Sequence, residues 1–512
     1  MLAGKVDCLP RLVDMTAPTI TPLDMGNVLA RVDPRSIRRI HLVGVGGTGM
    51  GSFAGLLKAA GYAVTGSDQN VYPPMSDMLV QWGVDVMTPY SAENLDRAKP
   101  DLVVIGNVIR RENPEATAVR ERRLPQMSFP AAMGSLLLEG RQSVVVAGTH
   151  GKTTTSALLS HVLVVAGTDP SFLVGGVTLN ADSNFRFGHG PYMVVEGDEY
   201  DTAYFDKGPK FLHYRARTAM ITSIEFDHAD IYRDMDHYES AYAQFAETIP
   251  SDGALVVCST YPNAERIARE HCAAPVITYS GAFEADFSAR DLRFGPEGAR
   301  FAIVRRRDGA ATKVLLPMSG RHNVENAVGV FAVAMTLDIP PEVVTKAFAT
   351  FQGVKRRQEV KGEVRGVLVV DDFAHHPTAV QETIDGIRAR YSDRRVIAVF
   401  EPRSNTSRRN IHQHAYVNAL RDAAQVFLKV PEPHDKVPAD QQLDVPEIIS
   451  DLQAAGVAAH GSKEIAELVG LVADEAQSGD LVLVMSNGAF GGFVPTLMER
   501  LNATEKGTVV RR

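Results

Sequence analysis

Short apolar runs alternate along this chain with helix-length segments in which apolar positions recur every three or four residues. The apolar runs read HLVGV, SVVVAG, PYMVVEG and GVLVVDD, and glycines or acidic residues end each of them. Apolar runs of this kind are typical of strands buried on both faces, and the segments between them suit crossover helices. The pattern therefore predicts an α/β protein built on parallel sheets.

The alternation restarts twice, which predicts three successive α/β units. The first covers residues 39–142, the second residues 143–354 and the third residues 355–512. Residues 1–38 show no sustained periodicity and are interpreted as an N-terminal extension. Residues 276–316 differ from the rest of the second unit, because short β segments and turns follow one another there. We expect them to form a small antiparallel insertion.

Composition adds limits to this picture. With 512 residues the chain is too long for one hydrophobic core, and its net charge of -8 is mild for that length. Nucleic acid and membranes are therefore not expected as partners. The cysteines Cys8, Cys258 and Cys272 form no CxxC pair, which argues against a disulfide framework or a cysteine zinc site. No signal peptide or transmembrane run is visible, so a cytoplasmic protein is expected.

The strongest chemical signal is the segment VVVAGTHGKTTTSALL, in which a predicted strand runs through a glycine-rich turn into a predicted helix. Backbone N–H groups in such a turn can surround phosphate oxygens, a lysine can neutralise them, and a threonine hydroxyl can bind Mg²⁺. The turn has one residue fewer between its glycines than the general P-loop. An incidental glycine-rich turn is the alternative. The predicted nucleotide-binding residues are Gly148, Thr149, His150, Gly151, Lys152, Thr153 and Thr154.

Acidic residues follow two later strands of the same unit. The strand PYMVV runs into EGDEYD, which starts at Glu196, and the strand TAMITSIE ends in Glu225 and runs into FDHAD, which contains His228. Ligands gather at the carboxyl ends of strands in open α/β sheets, and Mg²⁺ prefers oxygen ligands. A solvated acidic loop and a structural histidine are the alternatives. Glu196 and His228 are the predicted metal ligands.

A second glycine-rich turn lies near the N-terminus, in HLVGVGGTGMG. Gly44, Gly46 and Gly49 have the spacing of a dinucleotide fingerprint, and Asp68 ends the next predicted strand. This fingerprint predicts a bound diphosphate at a helix start. It does not distinguish NAD, FAD or a nucleotide sugar.

Three further segments could contribute to a nucleotide site. Asn323, in GRHNVENA, could cap a helix or contact an adenine edge. Arg357, in KRRQ, could lie on a solvated face or stabilise a phosphoryl group in transfer. Asp372 and the histidines of DDFAHHP could bind metal, although a dedicated zinc site is not favoured without cysteines.

Taken together, GTHGKTTT, EGDE, DHAD, GRHNVENA and DDFAHHP, in this order, resemble the motifs of the Mur ligases, which are ATP-dependent amide-forming enzymes of peptidoglycan synthesis. The resemblance covers about residues 39–500. It implies a Rossmann-like N-terminal domain, a P-loop ATPase-like central domain and a Rossmann-like C-terminal domain. It also implies that the N-terminal fingerprint binds a UDP-sugar and that ATP and Mg²⁺ are required.

Within the family, the resemblance implies a ligase that joins the muropeptide-derived tripeptide L-alanyl-γ-D-glutamyl-meso-diaminopimelate to UDP-N-acetylmuramate in peptidoglycan recycling. Addition of free L-alanine to the same sugar nucleotide is the alternative. The segments GDEYDTAYFDKGPKFLHYRART, EPRSNT and SNGAFGG favour the tripeptide. Several Mur ligases carry a carbamylated lysine where this chain has Tyr242, so no modified lysine is expected.

The resemblance also assigns roles to single residues. It implies catalytic roles for Lys152, His228 and Arg357, and metal binding by Thr153, Glu196 and His228. Adenine is assigned to Asn323, the γ-phosphate to Arg357, and the ribose side to Asp372 and His375. The sugar nucleotide is assigned to Gly46, Gly47, Thr48, Gly49, Met50 and Asp68, and the tripeptide to Arg403, Ser404 and Asn405.

Overall fold

The computed structural model describes residues 33–432 and 437–503. Their strands form three sheets in which most neighbouring strands are parallel, so the predicted α/β architecture is confirmed. Residues 1–32 of the predicted extension lie outside the described residues. Residues 33–38 are described, and among them Ile37 is fully buried in a hydrophobic core. The predicted domain boundaries remain predictions.

The N-terminal sheet is parallel throughout, with the strand order β3-β2-β1-β4-β5. This is the order of a dinucleotide-binding fold, in which ligands bind where the order reverses, beside β1. Its strands are β1 (Arg39–Val43), β2 (Ala63–Ser67), β3 (Asp85–Met87), β4 (Leu102–Ile105) and β5 (Gln126–Ser128). Its helices are α1 (Thr48–Ala59), α2 (Met75–Gln81), α3 (Ala92–Ala98), α4 (Pro114–Glu121) and α5 (Phe129–Leu136).

The central sheet has ten strands in the order β15-β14-β13-β12-β11-β10-β6-β9-β7-β8. Its strands are β6 (Gln142–Ala147), β7 (Ser171–Thr178), β8 (Ser183–Arg186), β9 (Tyr192–Gly197), β10 (Thr218–Ile221), β11 (Ala254–Cys258), β12 (Val276–Ser280), β13 (Phe287–Gly295), β14 (Gly298–Arg305) and β15 (Ala311–Leu316). Its helices are α6 (Lys152–Val165), α7 (Met235–Glu247), α8 (Pro262–His271), α9 (Arg321–Thr336) and α10 (Pro341–Thr350). Strand β6 lies between β10 and β9, so the ends of all three strands meet.

The expectation of a small antiparallel insertion at residues 276–316 is confirmed for the pairing of β13, β14 and β15 but wrong for β12. Strand β12 pairs in parallel with β11, and β13 pairs in parallel with β12. The pairs β13–β14 and β14–β15 are antiparallel, and they extend the central sheet instead of forming a sheet of their own. The physical reason is that an unpaired edge of β12 would expose a row of backbone N–H and C=O groups, which β13 satisfies.

The C-terminal sheet has six strands in the order β16-β17-β21-β18-β19-β20, and only β16 is antiparallel. Its strands are β16 (Glu359–Val364), β17 (Val367–Asp372), β18 (Arg395–Phe400), β19 (Gln425–Lys429), β20 (Ala458–Ser462) and β21 (Asp480–Met485). Its helices are α11 (Pro377–Arg390), α12 (Gln413–Leu420), α13 (Val445–Ala454), α14 (Ile465–Glu475) and α15 (Phe493–Ala503). None of the described helices is long and apolar enough to cross a membrane.

The N-terminal and central domains share one hydrophobic core. Phe53 of α1 and Val145 of β6 belong to the same buried cluster. Trp82 packs edge-on against Phe185 of β8, with ring centroids 4.9 Å apart. Continuous burial of apolar side chains across a domain boundary opposes their separation. We therefore expect these two domains to behave as one body.

The C-terminal domain meets the central domain through a smaller contact. Helix α11 crosses close to Gly320, and a Cβ atom on Gly386 would lie 2.8 Å from the Gly320 Cα atom. Only a glycine at position 386 lets the two backbones approach this closely. This contact places the start of α11 opposite the glycine-rich turn after β6.

Candidate active site

The turn after β6 has the backbone that its sequence predicts. Gly148 has φ 132° and Gly151 has φ 77°, and α6 begins directly afterwards at Lys152. A Cβ atom on Gly148 would lie 2.1 Å from Thr222 Oγ1, so glycine is required for space as well as conformation. The turn and the first N–H groups of α6 therefore form a concave anion site.

The Lys152 ammonium group lies over this turn. It donates to Glu199 Oε2 at 2.9 Å and to the Gly148 carbonyl at 2.5 Å. Glu199 is 1% exposed. Burial opposes ionisation of Glu199, but Lys152 and His228 outweigh it and lower the carboxyl pKa to about 2. The lysine is thus held at the turn as a charged group by an ionised partner.

Thr153 and Glu196 face the same space on the other side of the turn. The Thr153 hydroxyl donates to Glu196 Oε1 at 2.9 Å, and the Gly175 N–H donates to Oε2 at 2.7 Å. Burial, together with Asp198, raises the pKa of the Glu196 carboxyl. A hydroxyl and a partly desolvated carboxylate are oxygen donors of the kind that Mg²⁺ binds, so these residues fit the predicted metal.

His228 is linked to Lys152 through Glu199, which contacts both side chains. Its Nε2 atom is 3.1 Å from Glu199 Oε1, and its backbone has φ 54°. Burial would lower the imidazole pKa, but Glu199 outweighs it and raises the pKa to about 9. His228 is therefore protonated at neutral pH, and it would have to release that proton before binding a metal. Its predicted role as a metal ligand remains a prediction.

A cavity opens beside the turn, between the central and C-terminal domains. Its lining includes Gly151 and Thr154 from the turn, Asn323 and Asn326 from α9, and Glu382 from α11. Residues of the central and C-terminal domains both line the cavity, which suits a nucleotide held at a domain interface.

Asn323 is not the cap of its helix, because Gly320 occupies the N-cap position and α9 begins at Arg321. The helix-cap alternative is therefore wrong. The Asn323 side chain is buried and donates to the Ser319 carbonyl at 2.7 Å. It lines the cavity, and its contact with adenine remains a prediction.

The C-terminal domain brings Arg357 and Asp372 to the same cavity. An Arg357 guanidinium nitrogen lies 3.3 Å from Thr153 Oγ1, and the guanidinium lies 4.9 Å from the Phe373 ring centroid. Asp372 accepts hydrogen bonds from the N–H groups of Gln358 and Ala374, each at 2.7 Å. Arg357 thus reaches the turn, and Asp372 shapes the segment that carries it.

His375 is less closely involved. Its ring Nδ1 lies 3.1 Å from the Phe373 carbonyl, and its own carbonyl accepts from the Tyr416 hydroxyl at 2.7 Å. Burial lowers the pKa of its imidazole. His375 is not among the residues that line the cavity, whereas the preceding strand end at Asp372 is.

The N-terminal glycine-rich turn is a separate feature beside β1. Helix α1 begins at Thr48, and the Gly46 N–H donates to Asp68 Oδ2 at 2.8 Å. A Cβ atom on Gly47 or Gly49 would meet nothing within 4 Å, so open space lies above the turn. The Met50 side chain instead belongs to the hydrophobic core, which leaves only its backbone for a substrate.

The three residues predicted for the tripeptide follow β18. Asn405 Nδ2 donates to Asp230 Oδ2 at 2.8 Å, and this hydrogen bond joins the C-terminal domain to the central one. The Ser404 hydroxyl donates to Ser407 Oγ at 2.9 Å. The Arg403 guanidinium lies over Gly488, where a Cβ atom would be 1.2 Å from Nη1. The segment EPRSNT thus contacts both SNGAFGG and the acidic segment after β10.

Sequence reasoning missed several polar residues of this region. Glu199 was only one of several acids in EGDEYD, and nothing local identified it as the partner of Lys152. Lys210 is buried, donates to Asp198 Oδ2 at 2.9 Å and lies 4.0 Å from the Tyr200 ring centroid. Glu225 and Glu382 were also missed. Lys152 and Glu199 are 47 residues apart in sequence, and Lys210 and Asp198 are 12 residues apart, so no local pattern could have shown these contacts.

Comparison with known proteins finds family matches along the whole described core. Residues 39–141 match the family described as Mur ligase family, catalytic domain. Residues 146–334 match the Mur ligase middle domain, and residues 356–488 match the Mur ligase, glutamate ligase domain.

Similar curated proteins fall into two groups. The UDP-N-acetylmuramate–L-alanyl-γ-D-glutamyl-meso-2,6-diaminoheptandioate ligase of Haemophilus influenzae is 37% identical over 91% of this chain and 99% of its own. The ligase of the same name from Escherichia coli is 36% identical over 90% of this chain and 98% of its own. The UDP-N-acetylmuramate–L-alanine ligase of Myxococcus xanthus is 34% identical over 92% of this chain and 96% of its own.

Solved structures give the same picture. A murein peptide ligase from Psychrobacter arcticus superimposes with a TM-score of 0.68, is 33% identical, and covers 92% of this chain and 99% of its own. A UDP-N-acetylmuramate–alanine ligase from Thermotoga maritima has a TM-score of 0.74 at 22% identity, over 91% of this chain and 99% of its own. The second likeness concerns the fold alone.

Proposed function

The chain belongs to the Mur ligase family, whose members are ATP-dependent ligases that form carbon–nitrogen bonds, and we propose that it joins L-alanyl-γ-D-glutamyl-meso-diaminopimelate to UDP-N-acetylmuramate. The observation that carries the proposal is similarity along nearly the whole chain to two curated ligases named for this tripeptide. The curated alanine ligases are similar at lower identity. The proposed reaction would return released peptide to peptidoglycan synthesis.

In the proposed first step, the lactyl carboxylate of UDP-N-acetylmuramate attacks the γ-phosphorus of ATP, which gives an acyl phosphate and ADP. Lys152 begins α6 and Arg357 reaches Thr153, so both cations would contact the phosphoryl group in transfer. Their charges would oppose the negative charge that spreads over its oxygens. The Lys152 ammonium would exchange its contact with Glu199 for phosphate oxygens.

Thr153 and Glu196 are the proposed Mg²⁺ ligands, with His228 as a further ligand once it is deprotonated. Bound there, Mg²⁺ would neutralise phosphate oxygens and orient them for displacement. The cavity beside the turn would take the adenosine, with Asn323 at the adenine and Asp372 on the ribose side. The open space above Gly47 and Gly49 would take the UDP diphosphate at the start of α1.

In the proposed second step, the neutral α-amine of the tripeptide's alanine attacks the acyl carbon. The tetrahedral intermediate then collapses to the amide and inorganic phosphate. Arg403, Ser404 and Asn405 are the proposed tripeptide contacts, and the Asn405–Asp230 hydrogen bond would hold their segment against the central domain. The protein's contribution is to position the two substrates and to exclude water from the acyl phosphate.

An amine competition assay tests the proposal. Purified protein receives ATP, Mg²⁺ and UDP-N-acetylmuramate with either free L-alanine or the tripeptide, and ADP release is followed by a coupled assay. We expect turnover with the tripeptide and little with alanine. Turnover with alanine alone would contradict the proposal and identify an alanine-adding ligase instead.

Lys152→Ala is the control variant for this assay. We expect turnover to fall at least about 100-fold, because an interaction with transition-state charge is lost. Binding of UDP-N-acetylmuramate, measured by calorimetry, should remain, since its proposed site is beside β1 on another sheet. Unchanged turnover in this variant would show that ADP is released at some other site.

A further inference from the structure

A second cluster of metal-ligating side chains lies beside the glycine-rich turn, apart from Thr153 and Glu196. It consists of His150 from the turn, Glu225 from the segment after β10, and His376 at the start of α11. One ligand atom from each lies within 4.8 Å of the others. The first two residues belong to the central domain and His376 to the C-terminal domain.

The contacts within this cluster are close. His150 Nε2 lies 2.7 Å from Glu225 Oε2, and the rings of His150 and His376 have centroids 4.5 Å apart. The second carboxylate oxygen of Glu225 accepts a hydrogen bond from the Thr378 hydroxyl at 3.2 Å. Hydrogen bonds of this kind to the free oxygen of a carboxylate orient it for metal binding.

The donor set differs from the one proposed for Mg²⁺. Two imidazoles and one carboxylate are ligands that Zn²⁺ and related ions take, with bonds of about 2.0–2.2 Å, whereas Mg²⁺ prefers oxygen. Ligand atoms around one tetrahedral Zn²⁺ ion lie about 3.3 Å apart. The atoms that are now up to 4.8 Å apart would therefore have to close by as much as about 1.5 Å, and the 2.7 Å pair of His150 and Glu225 would have to open slightly.

An independent observation concerns His412, whose ring lies 4.8 Å from the His376 ring, centroid to centroid. Its Nε2 atom is buried and has no hydrogen-bond partner among the described residues. A buried polar atom without a partner is costly and calls for an explanation, such as a ligand. The Thr378 N–H lies 3.4 Å from His376 Nδ1, a long contact whose loss would cost little.

We propose that His150, Glu225 and His376 form a binding site for a Zn²⁺-class cation that bridges the central and C-terminal domains. His412 supplies a fourth nitrogen beside it. The ion connects the turn that carries Lys152 to the helix that carries Glu382, so its occupancy holds the two domains together. This inference concerns a cation other than Mg²⁺ and does not depend on which amine is the substrate.

The test is equilibrium dialysis of the full chain against Zn²⁺ in excess Mg²⁺, without nucleotide because ATP itself binds metal ions. Co²⁺ replaces Zn²⁺ in a parallel absorption experiment that reports its coordination. We expect one equivalent of Zn²⁺ per chain. His376→Asn, which keeps a helix-capping side chain, and Glu225→Gln should each weaken binding at least about tenfold.

His414→Asn is the matched control, because His414 is exposed on α12 two residues from His412. It should retain the wild-type affinity. Absence of Zn²⁺ binding by the wild-type chain would overturn the proposal, as would equal affinity in Glu225→Gln. If only His376→Asn kept the wild-type affinity, the ion would belong to the central domain alone and the bridge would be refuted. Circular dichroism of each variant establishes that it is folded.

Discussion

Buried charges concentrate where β9 and β10 end next to the glycine-rich turn. Glu196, Asp198 and Glu199 lie within four positions of one another, and Lys152 and Lys210 are their cationic partners. Unpaired charges in such a place would cost several kcal/mol each. The pairing explains how these acids remain stable in a buried position, and the proposed binding of phosphate and metal would require them to exchange partners.

The base that lies beside Glu382 is His322, whose Nδ1 atom is 3.7 Å from Oε2, and burial lowers the pKa of that imidazole to about 4. Burial, together with Glu325 and Glu225, raises the pKa of its carboxyl to about 8. Because the pKa is raised in the folded state, the folded protein holds a proton that the unfolded chain releases. Stability from this group is complete below the unfolded pKa and is lost as pH rises through about 8.

We therefore predict that Glu382→Gln stabilises the protein increasingly between pH 5 and pH 8.5. The side chain is 33% exposed, so we expect about 1 kcal/mol at the upper end, or a rise of about 2–4 °C in Tm. Thermal unfolding of both proteins across this pH range measures the difference. Glu499→Gln, on the exposed face of α15, is the control for loss of one acid, and a Tm difference that stays constant with pH would contradict the prediction.

How far the sequence predicts the site depends on how local each signal is. Lys152 and Thr153 could be identified because glycine, lysine and threonine follow one another between a strand and a helix. Glu382 and Glu225 could not, because their neighbours come from segments distant in sequence, including Glu325 for Glu382 and His150 for Glu225. Asn323 had two possible roles, and the position of Gly320 at the helix start decided against one of them.

Among elements, α11 depends on a single glycine for its position. Glycine weakens a helix relative to alanine by roughly 1 kcal/mol, yet Gly386 lies in the middle of α11. The close packing of the Gly386 and Gly320 backbones compensates for this loss of helix stability. The pairing of strands also depends on neighbouring segments. Residues 276–316 have the alternation of a small sheet, but their strands join the edge of the large central sheet.

We predict that two Gly→Ala substitutions affect different properties of the protein. Gly470→Ala in α14, where a Cβ atom would meet nothing within 4 Å, should stabilise the protein by up to about 1 kcal/mol. Gly386→Ala should raise the KM for ATP several-fold, because α11 must move away from the cavity. Thermal unfolding and steady-state kinetics measure the two effects. An unchanged KM in Gly386→Ala would show that the close contact does not position the cavity.

At the scale of the whole molecule, hydrogen bonds between side chains join the central and C-terminal domains. They include Arg357 with Thr153, Thr378 with Glu225, and Asn405 with Asp230. Interfaces of this kind open readily, and excluding water from an acyl phosphate requires closure. The closed arrangement should therefore be favoured by substrates.

We predict that an ATP analogue together with UDP-N-acetylmuramate lowers the radius of gyration of the protein in solution. X-ray scattering with and without both ligands measures it, and the sugar nucleotide alone is the control. An unchanged radius with both ligands would argue against closure of the C-terminal domain.

The shared core of the first two domains has a consequence for how amine preference could change over time. The glycine-rich turn and the proposed UDP-N-acetylmuramate site both lie in the first two domains, while the proposed tripeptide contacts lie in the C-terminal domain. Recombination near residue 355 would then replace the proposed amine-binding residues and leave the proposed UDP-N-acetylmuramate site unchanged. Because Arg357 and Asp372 also lie beyond residue 355, an exchanged C-terminal segment would have to supply equivalents of both residues for the proposed activation of the acid.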